Sequence, residues 1–269
     1  MNTIHSLLAA SALLTSTFAA RPDTGEILVE IGDIYPNTPT NYSVIDILDH
    51  DSIDDPHWAA IVELTQLTYA VVHPPGIAVR TGTPMPNGET AQYFYDVQID
   101  GGSPSMATLY DEQGTFKKKI MLNYAAPVLS EGEPVAGFGL PNGTFIESIR
   151  EMAFSSTKMM VSVTLRRNSS YYQAALVYNV VSSTQVVPSF IAERSGLATT
   201  TFQPVAEILY GIDIDASGAY TVPMRLQGGA TALNDSGTAT LLSGTNTPIP
   251  MSSWSSGIIA SSASSSTMA

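Results

Sequence analysis

The stretch DHDSIDDPHW, residues 49–58, holds Asp49, His50, Asp51, Asp54, Asp55 and His57, including two of the four histidines in the chain. Carboxylates at this density offer hard oxygen ligands for Ca2+. The imidazoles would instead favour a transition metal. The spacing matches neither the H-E-x-x-H helix pair nor a calcium loop closed by a distal glutamate. Part of the cluster has a local explanation. Asp54 and Asp55 suit the start of a helix, where free N–H groups and the macrodipole favour carboxylates, and Pro56 suits the first helical position. That leaves Asp49, His50 and Asp51 as the candidate ligands of a cation, Ca2+ first, or as a charged contact between subunits.

Other stretches imitate functional motifs and fall short of them. Asp213-x-Asp215-x-Ser217-Gly218 copies the first half of an EF-hand loop, but Met224 stands where the closing glutamate belongs, so it reads as a hairpin turn with Gly218 in the left-handed region. GFGLPNG, residues 137–143, misses the dinucleotide spacing by one residue and has no βαβ context, so it reads as a loop. No Gly-Lys-Ser/Thr and no G-x-S-x-G occurs. Ser236 would need His73 and a distant aspartate brought to it by the fold. His73 precedes Pro74-Pro75-Gly76, the setting of a loop histidine. Asp96, Asp100 and Asp111 fall at strand ends and turns. Tyr93, Tyr95, Tyr171, Tyr172 and Tyr178 take strand positions, which fits a core or an interface better than a carbohydrate platform. The expectation is no catalytic residues, no bound cofactor and no enzyme.

The elements that must position these residues are mostly strands. EILVEIGDIY (26–35), QYFYDVQID (92–100) and MMVSVTLR (159–166) alternate apolar and polar residues with period two. YYQAALVYNVV (171–181) answers the last of these across RNSS as a hairpin, and AEILYGIDID (206–215) pairs with AYTVPMRL (219–226) across ASG. Pro223 places its strand at an edge or a bulge. TYAVV, GIAVR and KKKIMLNYAA add further strands. Two short helices are expected in connections. DDPHWAAIVELTQL carries Trp58, Ile61, Val62 and Thr65 at helical spacing; NGTFIESIREMAF carries a Thr144-x-x-Glu147 capping box and a Phe145, Ile149, Met152 stripe. The fold class is therefore mainly β, an antiparallel sandwich or jelly-roll-like barrel with two short helices and extended terminal arms. No sequence repeat of a solenoid or propeller type is visible.

Composition narrows the partners. With 11 basic and 24 acidic residues the net charge is −13, and only 13% of residues are charged, about half the usual share. The basic residues form no arm or stripe, which argues against strong direct nucleic-acid binding. Lys117–Lys119 reads as a solvated turn or a guarded edge strand. There is no cysteine, hence no disulfide, thiolate metal site or cysteine nucleophile. Residues 1–23 form an apolar, small-residue arm, or a signal-like segment with a boundary between Thr17 and Ala20 but no Lys or Arg before the apolar run. That run is too short and too rich in Ser and Thr to span a membrane. Residues 24–242 form the β-rich domain, and 243–269 a Ser/Ala-rich C-terminal arm. Trp254, Ile258 and Ile259 are the anchors expected at a subunit interface.

Low charge, β-rich pattern, Ser/Thr/Pro-rich loops and arm-like ends together resemble coat proteins of non-enveloped viruses. The resemblance is of class, spans residues 24–242 and rests on no diagnostic motif. It implies a homo-oligomeric shell in a virion, with other capsid proteins as possible neighbours and no catalysis. Many coat proteins carry a basic arm that grips genome. This chain lacks one, which points to an outer or decorating layer. The signal-like N-terminus supports an alternative: a secreted β-sandwich, either a glycan-binding module or a hydrolase.

Overall fold

Segments rich in β-branched and aromatic residues, separated by turns of a few residues, pair with their sequence neighbours as antiparallel meanders. A computed structural model describes residues 29–35, 42–54, 57–74, 76–196 and 204–243. Both expected arms, with Trp254, Ile258 and Ile259, lie outside the described residues, as do Asp55 and Pro56. The first sheet runs β1 (Ile34–Tyr35), β2 (Tyr42–Asp54), β3 (His57–Leu64), β4 (Thr68–His73) and β5 (Gly76–Arg80). The second runs β6 (Ala91–Ile99), β7 (Met106–Glu112), β8 (Lys118–Leu122) and β9 (Leu129–Ser130). The third runs β10 (Thr144–Phe154), β11 (Lys158–Arg167), β12 (Ser170–Ser182) and β13 (Gln185–Arg194). In the fourth, β14 (Val205–Ile208) and β15 (Asp213–Ile214) both pair with β16 (Tyr220–Leu226), followed by β17 (Thr231–Asp235) and β18 (Thr238–Ser243).

The four sheets pack in chain order. Ala59, Ile61 and Val71 of the first meet Phe94, Val97 and Tyr110 of the second. Leu109, Ile120 and Leu122 of the second meet Ile149, Val161 and Leu176 of the third. Met160, Ala175 and Val177 of the third meet Ile208, Val222 and Met224 of the fourth. The second and third sheets are thus covered on both faces, and their strands read as continuous apolar runs rather than clean alternation. The mainly β, antiparallel expectation holds. Strand order is sequential and no sheet closes, so the jelly-roll alternative, which needs Greek-key crossovers, is not the one adopted.

Both expected helices are strands, for different reasons. In β3, Ala59 and Ile61 face the second sheet beside Val71 of β4, while Ala60, Val62 and Leu64 pack on the opposite face with Val44 and Val72. A doubly buried strand offers apolar residues at every spacing, including the helical one. Asp54 is the last residue of β2 and pairs with His57, so it does not start a helix. In β10, register shifts between Ile146 and Ser148 and between Ile149 and Glu151 each add a residue. Ile146, Ile149 and Met152 are therefore buried at a spacing of three, which imitates a helical stripe. Glu147 pairs with Arg166 at 3.1 Å instead of closing a capping box.

The same device recurs at the start of every sheet. β2, β6 and β14 also carry register shifts, and Ala91, Phe94 and Val97 of β6, like Val205 and Ile208 of β14, are buried three apart. This corrects the face read for β6: Phe94 and Val97 are buried and Tyr95 is exposed. The segment 26–35 is not one strand. Residues 31–32 turn, with Gly32 at φ 102°, and only Ile34 and Tyr35 pair. Hairpins β11–β12 and β15–β16 form as expected. Pro223 is in an interior strand, opposite the bulge where Leu209–Ile212 interrupt β14 and β15, which resolves the expectation as the bulge.

Candidate functional site

Asp49 and Asp51 point from β2 toward the free edge of β6. Asp49 Oδ2 accepts the Val97 N–H at 3.0 Å, and Asp51 Oδ2 accepts the Ile99 N–H at 2.8 Å. The next first strand repeats the move. Gln98 of β6 donates Nε2 to the Met152 carbonyl and accepts the Phe154 N–H on β10, both at 2.8 Å. Glu151 of β10 then accepts the Gly211 N–H at 2.8 Å and the Ile212 N–H at 3.4 Å, in the break between β14 and β15. The leading edges of the second, third and fourth sheets are thus closed by polar side chains of the sheet before. An open edge would otherwise present unpaired backbone groups.

This seam gathers acid. Burial pushes the Asp96 carboxyl well above its usual range, and the charge of Asp49 pushes it further, with Glu151 and Asp51 adding. Burial also raises Asp49, Asp51, Glu151 and Asp213, against the backbone N–H bonds that favour their ionised forms. Asp96 and Asp49 share a hydrogen bond, so the pair works as a carboxylic acid donating to a carboxylate. Among the described residues no group of three or more His, Cys, Asp or Glu side chains is placed to hold a metal ion. The expected cation site at Asp49, His50 and Asp51 is thus divided by strand alternation. His50 lies exposed between two inward carboxylates that serve as edge caps.

A pocket of about 490 Å3 opens at one end of the first and second sheets. The start of β3 contributes His57 and Trp58, and the turn after β4 contributes His73 and Pro74. Asp100 follows β6, Ser105 precedes β7, and Asn123 and Tyr124 follow β8. Asn123 and Tyr124 both lie in the left-handed region, at φ 47° and 57°. Asn123 Oδ1 fixes that turn by accepting the Ser105 and Met106 N–H groups at 3.1 and 3.0 Å. The His73 and Tyr124 rings stack at 6.1 Å and 13°. The sequence had flagged His57 in the acidic cluster and His73 as a loop histidine; the fold brings them to one cavity. It gave no signal for Trp58, Asn123 or Tyr124, because the three share the cavity only through strand pairing.

The remaining candidates take structural places. Asp215 accepts N–H bonds from Ser217 and Ala219 in a turn with Gly218 at φ 89°, as a hairpin needs. Lys119 pairs with Glu89 and Glu112 at 2.8 and 3.1 Å, and Lys118 lies 4.1 Å from the Tyr95 ring centroid. Tyr69, Tyr93 and Tyr95 meet edge to face at 4.7 and 4.9 Å, which makes no flat platform. Tyr178 is buried against Phe138. Among the described residues no helix is long and apolar enough to cross a membrane. Three large apolar side chains of β2 face outward: Ile45, Leu48 and Ile53 are 46%, 38% and 49% exposed. Comparison with known proteins finds no matching family model and no similar curated sequence.

Proposed function

We propose that this chain is a structural subunit that self-assembles into a shell, in the manner of the coat proteins of non-enveloped viruses, with copies of itself as the main partner and other capsid proteins as further neighbours. The observation that carries the reading is the exposure of three large apolar side chains along β2, Ile45, Leu48 and Ile53, each at one of its bulges. Among the described residues these side chains belong to none of the sheet cores. Exposed apolar surface of this kind marks contact surfaces. A chain with so few charges has little else to keep it apart from its copies. Closed symmetry would bury these side chains in equivalent contacts. Negative-stain microscopy with sedimentation velocity on the full chain tests this. Regular particles or discrete oligomers are expected; a stable monomer under all conditions contradicts it.

The competing reading is a secreted β-sandwich, a glycan-binding module or a hydrolase, and the pocket at His57, His73 and Tyr124 is the observation in its favour. Intact mass separates the two. Loss of about the first twenty residues, the length of a leader, favours secretion, and retention of Met1 opposes it.

A further inference from the structure

The pocket between the ends of the first two sheets has a lining that selects among ligand classes. Trp58, His73 and Tyr124 bring aromatic rings to the lining, with the His73 and Tyr124 rings near-parallel at 6.1 Å. Aromatic faces take the apolar C–H side of a ring. Beside them stand hydrogen-bonding groups of His57, Asp100, Ser105 and Asn123. The volume, about 490 Å3, lies in the range of small-molecule pockets, which combine apolar walls with a few placed polar groups. The wall also carries local strain. Tyr124 is held at φ 57° by the Asn123 turn, a conformation that disfavours a bulky side chain and persists only where surrounding bonds impose it.

Charge removes two classes. Asp100 accepts the Gly101 N–H at 2.8 Å on Oδ1 and the Ser156 N–H on Oδ2, and these bonds hold it ionised. A fixed carboxylate in a chain of net charge −13 repels phosphates and carboxylates. Cations are poorly served, because backbone N–H dipoles already offset the charge of that carboxylate, while each of its oxygens keeps a lone pair for a hydroxyl donor. A purely apolar ligand would cover the Asp100 carboxylate and strip its hydration without replacing it. A ring with one apolar face and a rim of hydroxyls matches all three conditions.

We infer that this pocket binds a single neutral sugar ring, stacked on Tyr124 and Trp58 with its hydroxyls on Asp100 and His57. The inference is independent of the shell reading. It deepens the glycan-binding form of the secreted reading by naming the ligand, and the two fail separately, since secretion is tested by intact mass and sugar binding by saturation transfer.

The test is saturation-transfer NMR on the full chain with methyl glycosides of glucose, galactose, mannose and N-acetylglucosamine, with choline as a cationic probe. Transfer to the ring protons of at least one glycoside is expected, and none to choline. Tyr124→Ala and Asp100→Asn should each weaken that binding about tenfold or more, while Tyr124→Phe retains it. Tyr171→Ala, at an exposed residue of β12 away from the pocket, should leave it unchanged. Should Tyr124→Ala fail to fold, as judged by circular dichroism, Asp100→Asn and His57→Ala carry the test. Absence of transfer from every glycoside, transfer to choline alone, or glycoside binding unaffected by the pocket substitutions in folded protein would overturn the inference.

Discussion

Asp96 gains nothing from being charged. It is half-buried, the charges of Asp49, Glu151 and Asp51 oppose its ionisation, and a long 3.4 Å bond from Gln98 Nε2 is a weak offset. Asparagine has the same shape, keeps a donor toward Asp49 and needs no proton. Asp96→Asn should therefore raise stability at neutral pH by about 1 kcal/mol, or roughly 2–4 °C in melting temperature for a chain of this size. Thermal melts at pH 7.5 check this, and a fall in melting temperature would count against the acid-pair geometry. The wider set sets the pH slope. Asp49, Asp51, Asp96, Glu151, Glu193 and Asp213 all have carboxyls raised by burial in the folded chain. For a raised acid the folded state holds the proton longer than the unfolded one. Its stabilising contribution is full below the ordinary value near 4 and is lost as pH rises through the folded value. Asp100, Glu112 and Asp215 are shifted the other way, but they lie near solvent, where screening weakens the effect. The chain should therefore melt higher at pH 5 than at pH 8, and Asp96→Asn should flatten that difference. The sequence pointed to Asp49 and Asp51 as residues without a local role, and the fold gives them one. That role was illegible because their partners, the N–H groups of Val97 and Ile99, lie 48 residues away.

At the scale of elements, β2, β6 and β10 each carry bulges and lend polar side chains that close the edge of the next sheet. Gln98 shows how much depends on one contact. Its amide stands in for a missing strand, bonding both Met152 and Phe154. Gln98→Ala leaves two backbone groups unpaired and should cost about 2–4 kcal/mol by chemical denaturation. Gln98→Glu sets a carboxylate against the Met152 carbonyl, so its penalty should shrink as pH falls. The loop after β6 is the other tight point. A Cβ on Gly102 would lie 2.1 Å from Ser156 Oγ, so Gly102→Ala must shift the Asp100–Ser105 wall of the pocket. About 1–3 kcal/mol of destabilisation is expected, with loss of any sugar binding. Strand content and the hairpins were legible from period two and turn residues. The helices expected at 56–67 and 144–154 were misread because a doubly buried strand and a bulged strand both place apolar residues at helical spacing. Only the pairing partner distinguishes them.

On the scale of the whole molecule, four meanders packed in series build their cores between sheets. The chain folds around those cores and still leaves Ile45, Leu48 and Ile53 in solvent. Low charge and these outward side chains are the two features that support the assembly proposal. The pocket was not legible as a unit: its residues come from five separate stretches between His57 and Tyr124. The central claim, self-assembly through the β2 face, is tested most directly by sedimentation velocity of the full chain beside an Ile45→Asp, Leu48→Asp double variant. Wild type should sediment well above the 28.5 kDa monomer, and the variant as a folded monomer. A wild type that stays monomeric across concentration and pH, or assembly identical in the two proteins, would contradict it.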